Sequence, residues 1–211
     1  MKRIAVLVSG GGTNLQALID AQQKGALGGG RIVAVISTKE GAYALERAAR
    51  AQIDGYVLPR KNYASNRAIT LALVELLREL SIDLVVLAGC MVIFTRELAE
   101  AFPNRVMNVH PALIPSFCGE GFYGLRVHEK ALEYGVKVSG ATVHFVTEEC
   151  DGGPIIAQEP VAVLPGDTPE TLQLRIMEQA EWIALPRAVR LFCQDRIRVE
   201  GRNVVIQEEK K

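Results

Sequence analysis

The sequence contains no apolar run near the roughly 18 residues that a membrane-spanning helix requires, and its opening, MKRIAVLVSGGGTN, breaks into glycines too early for a signal-peptide core. A cytoplasmic protein with no membrane partner is expected. Cysteine is scarce. The four, Cys90, Cys118, Cys150 and Cys193, lie far apart with no C-x-x-C pair and no Cys/His cluster, so neither a metal site nor a disulfide framework is indicated and the thiols are expected to be reduced. Charge of one sign is also missing: 24 Lys+Arg against 24 Asp+Glu give a formal net charge of +0, which excludes a global basic field for nucleic acid. What remains is ordinary globular composition, 49% hydrophobic and 23% charged over 211 residues, enough for the core of one α/β domain.

Apolar runs of strand length alternate with helix-period segments, the pattern of a mostly parallel, twisted, Rossmann-like sheet with helices on both faces. Ile4 to Val8, Arg31 to Ile36, Asp83 to Ala88 and Val106 to Val109 read as strands, and Tyr56 to Leu58 as a short edge strand. Between them, Leu15, Leu18 and Ile19 mark one helix, Glu40 to Ala51 a second, Ile69, Leu73, Leu76, Leu77 and Leu80 a third, and Leu98 to Phe102 a short fourth. From Pro111 to Gly124 no period survives, so a long irregular loop is expected there, followed by a helix near Val127 to Tyr134. Thr142, His144 and Val146 alternate with Ala141, Val143 and Phe145 as in a half-exposed strand, and Ile155 to Val163 reads as another. Antiparallel strands and a long helix are expected to make up the C-terminal part. Thr168-Pro169 caps that helix, which should kink or restart at Pro186; a small hairpin around Glu200 to Asn203 and a charged, fraying end close the chain.

Three stretches carry chemistry. Ser9-Gly10-Gly11-Gly12-Thr13-Asn14 joins a strand to a helix, where backbone N–H groups and the helix N-terminus favour a phosphate; the alternative is a turn that needs only glycine dihedrals. It is neither the dinucleotide fingerprint nor a Walker A loop, since Leu15 takes the last glycine place and no Gly-Lys-Ser/Thr follows. Asn108 and His110 lie two apart at a strand end, hence on one side: an imidazole to shuttle a proton and an amide to hold an oxyanion, or else a histidine capping a turn beside Pro111. Asp151 opens Asp-Gly-Gly-Pro, where a carboxylate can orient an imidazole and raise its pKa, or simply form an Asx-turn. His144 ranks second as a site residue and His128 reads as solvated or capping. Neither Ser9 nor Cys118 has the setting of an activated nucleophile, so direct transfer without a covalent enzyme intermediate is expected.

Taken together, Val8-Ser-Gly-Gly-Gly-Thr-Asn-Leu-Gln16, Leu84-Val-Val-Leu-Ala-Gly89, Asn108-Val-His-Pro-Ala-Leu-Ile-Pro115 and Thr142-Val-His-Phe-Val146 with Asp151-Gly-Gly-Pro-Ile155 resemble the glycinamide ribonucleotide (GAR) transformylase family of the folate-dependent formyltransferases, over most of the chain. The resemblance implies one formyltransferase domain over 1–211, with a nucleotide-binding half to about 104 and a catalytic, folate-binding and C-terminal half from about 105. It implies a transferase of purine biosynthesis using 10-formyltetrahydrofolate as cosubstrate and GAR as acceptor, acting as monomer or homodimer. Asn108, His110 and Asp151 match the catalytic three; Gly12, Thr13 and Asn14 match phosphate contacts; Glu181 matches an acid that touches glycinamide. Met91, Val92, Ile93 and Phe94, with Asn108, match the folate contacts, largely through backbone, and Arg67 or its neighbour Asn66 falls where an arginine meets the folate tail. Two departures stand out: Val92 replaces an arginine frequent in relatives, and Phe117 to Gly124 is longer than the usual loop. The rival readings are another folate-dependent formyltransferase or hydrolase, or a non-catalytic nucleotide-binding module.

Overall fold

The computed structural model describes residues 1–208. The first apolar run becomes β1 (Lys2–Val8), flanked by β2 (Gly30–Ser37) and β4 (Leu84–Leu87), both parallel to it. β3 (Asp54–Val57) extends the parallel pairing beyond β2, and β5 (Val106–His110) extends it beyond β4. The direction then reverses. β6 (Val138–Phe145) runs antiparallel to β5, and β7 (Ile155–Ala162) antiparallel to β6, giving the order β3-β2-β1-β4-β5-β6-β7. The chain winds outward from β1 to β3 and returns to lay β4 on the other side of β1, so the loops after β1 and β4 part over a crevice at the carboxyl edge.

Alternate residues of β1 feed two cores. Ile4, Val6 and Val8 pack under α1 (Thr13–Gln23), α2 (Tyr43–Arg50), α6 (Pro169–Ile176) and α7 (Trp182–Cys193), through Leu15, Leu18, Ala44, Leu172 and Leu185 among others. Ala5 and Leu7 pack against α3 (Asn66–Glu79) and α4 (Arg96–Ala101), through Ile69, Leu73, Leu77 and Leu98. Burial on both faces is why the parallel strands read as unbroken apolar runs. The C-terminal hairpin forms as expected, from β8 (Ile197–Glu200) and β9 (Asn203–Ile206); the charged end expected to fray, residues 209–211, lies outside the described residues.

Two sequence expectations are corrected. β6 is not half-exposed: every residue from Ser139 to Phe145 is buried. Ala141, Val143 and Phe145 enter the core, while Thr142 and His144 are covered by the segment after β5, with the Thr142 hydroxyl donating to the Ala112 carbonyl at 2.7 Å and accepting from the Ile114 N–H at 3.1 Å. The C-terminal helix also breaks earlier than expected. Thr168 caps it, accepting from the Thr171 N–H at 3.3 Å with Pro169 at the first position, but a π turn over Met177–Glu181 interrupts it and Pro186 lies inside α7. Proline has no N–H and crowds the carbonyl four residues back, here that of Trp182, which opens α7 directly after the π turn.

Candidate active site

β5 carries Asn108 and His110 on one face, and the antiparallel register sets them against His144 and Thr142 of β6. Past β6 the chain folds back sharply, the Phe145 N–H donating to the Pro154 carbonyl at 2.9 Å. A Cβ at Gly153 would strike the Phe145 carbonyl, so only glycine allows so close a return. Asp151, in the left-handed conformation at φ 54, is thereby carried over the strand ends.

Four side chains meet there. Asp151 Oδ2 lies 3.5 Å from His110 Nδ1 and Oδ1 lies 3.4 Å from His144 Nε2. The Asn108 amide donates to Asp151 Oδ1 at 3.3 Å and stands 3.2 Å from His144 Nε2. The Gly119 N–H donates to Asp151 Oδ2 at 2.9 Å. Carbonyl groups accept from the outer ring nitrogens: His110 Nε2 donates to Phe117 at 2.8 Å and His144 Nδ1 to Phe145 at 2.9 Å. The irregular loop is thus tied to the imidazole at Phe117 and to the carboxylate at Gly119.

Burial is the largest influence on His110 and holds its pKa below the ordinary value, against the upward pull of the Asp151 charge and the Phe117 carbonyl. Asp151 raises the pKa of His110, as expected, but desolvation outweighs that pull. For Asp151 burial pushes upward, yet the His144 hydrogen bond, the His110 charge and the Gly119 N–H together hold it below its ordinary value. The buried partner is therefore a carboxylate.

His128 is also corrected. It is neither solvated nor capping: on α5 (Leu125–Tyr134) it is fully buried, its ring nitrogens lack partners, and burial followed by the His110 charge lowers its pKa to about 4.

At the other end of the crevice, Gly12 caps α1 in the left-handed conformation at φ 72, and a Cβ there would lie 2.7 Å from the Ala44 Cβ of α2. Thr13 opens the helix. Asn14 reaches across the molecule, donating from Nδ2 to Glu181 Oε2 at 2.7 Å, while its own Oδ1 is buried without a partner. Burial raises the pKa of Glu181 and the Asn14 hydrogen bond lowers it by less. The π turn supplies this acid. Arg47, which sequence reasoning passed over, donates to the Gly11 carbonyl at 2.8 Å.

A match to the formyl transferase family model spans residues 2–189. The chain belongs to the formyl transferase family. It is 42% identical over 200 residues to the phosphoribosylglycinamide formyltransferase of Haemophilus influenzae, covering 95% of this chain and 91% of that one. It is 37% identical over 211 residues to the chloroplastic phosphoribosylglycinamide formyltransferase of Arabidopsis thaliana, covering 100% of this chain and 72% of that one. The crystal structure of glycinamide ribonucleotide transformylase 1 from Symbiobacterium toebii superposes with a TM-score of 0.92 at 47% identity, covering 99% of this chain and 95% of that one.

In this formyl transferase the segment Met91 to Phe94 leaves β4 beside the glycine loop, joined to it by one hydroxyl: Ser9 Oγ accepts from the Met91 N–H at 2.8 Å and lies 2.6 Å from Thr38 Oγ1. Met91 and Ile93 are exposed, whereas Val92 and Phe94 lean into the second core. Arg67 stands apart from them, its Nε 2.6 Å from Glu97 Oε1, and Asn66 accepts from Arg60 at 2.7 Å. The structure thus brings together Asn108, His110 and Asp151, and separately Asn14 and Glu181, and it engages Arg67 elsewhere. Sequence reasoning left His144 without a role and missed Arg202, whose guanidinium donates to the Gly152 carbonyl at 3.1 Å from the C-terminal hairpin.

Proposed function

We infer that this formyl transferase moves the formyl group of 10-formyltetrahydrofolate to the primary amine of GAR, giving formyl-GAR and tetrahydrofolate. The observation that carries the reading is the convergence of Asn108, His110 and His144 on one buried carboxylate at the edge of a crevice bordered by a glycine loop. The amine nitrogen attacks the formyl carbon, forming a C–N bond and turning the carbonyl oxygen into an oxyanion. The Asn108 amide and a protonated His110 donate to that oxygen, and Asp151 balances the imidazolium charge. Collapse breaks the bond to N10, which takes a proton from His110, and the proton lost by the amine restores the imidazolium. The glycine loop, Thr13 and Asn14 hold the phosphate of GAR, Glu181 its glycinamide amine, and the backbone of Met91 to Phe94 the pterin. Both substrates are small molecules met in the cytoplasm.

Absorbance at the wavelength where deformylated folate differs from its formyl form tests this directly. Tetrahydrofolate should appear only when GAR is added. Equal release with water alone makes the protein a hydrolase, and no release with GAR removes the assignment.

A further inference from the structure

The glycine loop is gripped from behind by α2. The Ala44 N–H donates to the Gly10 carbonyl at 3.1 Å, and the next carbonyl, that of Gly11, accepts from Arg47 Nε at 2.8 Å. The third, that of Gly12, accepts from the Gln16 N–H at 2.9 Å as the first bond of α1. In a trans peptide the N–H points opposite to the carbonyl of the same plane. Pinning these carbonyls therefore turns the N–H groups of Gly11 and Gly12 away from α2 and that of Thr13 out of the start of α1. None of the three donates to a protein acceptor among the described residues. Successive free N–H groups at a helix N-terminus make an anion-binding concavity. The same turn holds an orphaned acceptor, Asn14 Oδ1, in a residue only 8% exposed.

Two of the three groups that hold the carbonyls are backbone amides, which almost any sequence supplies. Arg47 is the one side chain. It is itself held in place: Nη1 donates to Gln16 Oε1 at 2.9 Å, the guanidinium lies 5.0 Å from the centre of the Tyr43 ring, and Gln16 donates onward to Asp20 Oδ1 at 2.8 Å. The planar guanidinium thus works as a fork, one prong on the loop and one on the first turn of α1. Its stem also lies close behind, with Cδ 3.6 Å from where a Cβ on Gly12 would stand.

We propose that Arg47 is a positioning residue for the phosphate of the acceptor. By holding the Gly11 carbonyl toward α2 it keeps the Gly12 N–H, between those of Gly11 and Thr13, aimed at the phosphate oxygens. It acts from behind, through the peptide that joins Gly11 to Gly12, and its charge adds to the positive end of α1. This role rests on the formyl-transfer reading for the identity of the acceptor and adds to it the side chain that shapes the phosphate loop.

KM for GAR and KM for 10-formyltetrahydrofolate, measured separately in Arg47→Ala, Arg47→Lys and Arg50→Ala, test this. Arg47→Ala should raise KM for GAR about tenfold, as loss of one charge-assisted hydrogen bond does, with kcat and the folate KM nearly unchanged. Lysine keeps the charge but lacks the fork, so Arg47→Lys should stay close to the alanine variant. Arg50→Ala removes the other guanidinium beside Tyr43, 5.5 Å from the ring, and should leave both constants as they were. An unchanged KM for GAR in Arg47→Ala, an equal rise in both constants, or full recovery by lysine overturns the proposal. Binding of ribose 5-phosphate, followed by the amide chemical shifts of residues 11–13, removes the folate chemistry from the test. Its Kd should weaken by a similar factor in Arg47→Ala; an equal Kd in the two proteins, or no binding to the natural one, overturns the proposal. Absence of GAR-dependent tetrahydrofolate release in the natural protein condemns the formyl-transfer reading instead, and the ribose 5-phosphate result still decides the role of Arg47.

Discussion

Asp151 Oδ2 lies 3.5 Å from His110 Nδ1, with the two side chains only 9% and 5% exposed. Screening by solvent is weak at such burial, so the carboxylate is a strong control on the charge of the ring. Replacing it by Asp151→Asn removes the upward pull while the downward effect of burial stays, so the pKa of His110 should fall further. The alkaline limb of the kcat/KM profile should then move to lower pH, with turnover near neutrality reduced on the order of a hundredfold. An unmoved limb would show that His110 does not act in its charged form.

Asn108→Ala should cost on the order of a hundredfold or more in kcat, as loss of one oxyanion donor does, with little change in thermal stability because Asn108 is only partly buried. Steady-state kinetics beside a melting curve separate the two. Near-normal kcat in a folded variant would refute the role.

On the proposed reading the pair Asn14–Glu181 serves the acceptor side. Glu181→Ala leaves the Asn14 amide without its partner inside the protein, a loss of about 1–3 kcal/mol in stability, and it should raise KM for GAR far more than KM for the folate. A matching rise in both constants would place Glu181 outside the acceptor site.

His128 should make the fold sensitive to acid. Its pKa of about 4 in the folded state lies below the ordinary 6.5, so in that interval the unfolded chain binds a proton that the folded one refuses. Its contribution is complete above pH 6.5 and is lost as pH falls toward 4, at no more than about 1.4 kcal/mol per pH unit. His110, also depressed, adds in the same direction. His128→Leu should shrink the difference between melting temperatures measured at about pH 8 and about pH 5. An unchanged difference would assign the acid sensitivity to other groups.

Much of this was readable in the chain, for identifiable reasons. β1, β2 and β4 announce themselves because burial on both faces fills their middles with apolar residues. Asn108 and His110 could be paired because a strand period of two is rigid, and Asp151 because its glycines and proline mark a sharp turn. His144 could be ranked only second, without a role, because a polar residue in an alternating strand faces either water or a site, and the period is the same for both. The partner of Arg67 escaped because Glu97 is brought to it only by the packing of α3 beside α4. For His128 a signal existed: it shares a helical stripe with Val127 and Ala131, both fully buried. The break in the C-terminal helix was expected at Pro186 because proline is the visible breaker, whereas nothing in the sequence marks the π turn over Met177–Glu181.

The single hydroxyl of Ser9, bound at once to the Met91 amide and to Thr38, works as a rivet between the glycine loop, the proposed berth for the acceptor, and the segment proposed to hold the donor. With that spacing set by the resting protein, the two reactants arrive on a prepared ruler, and little of their encounter is left to chance.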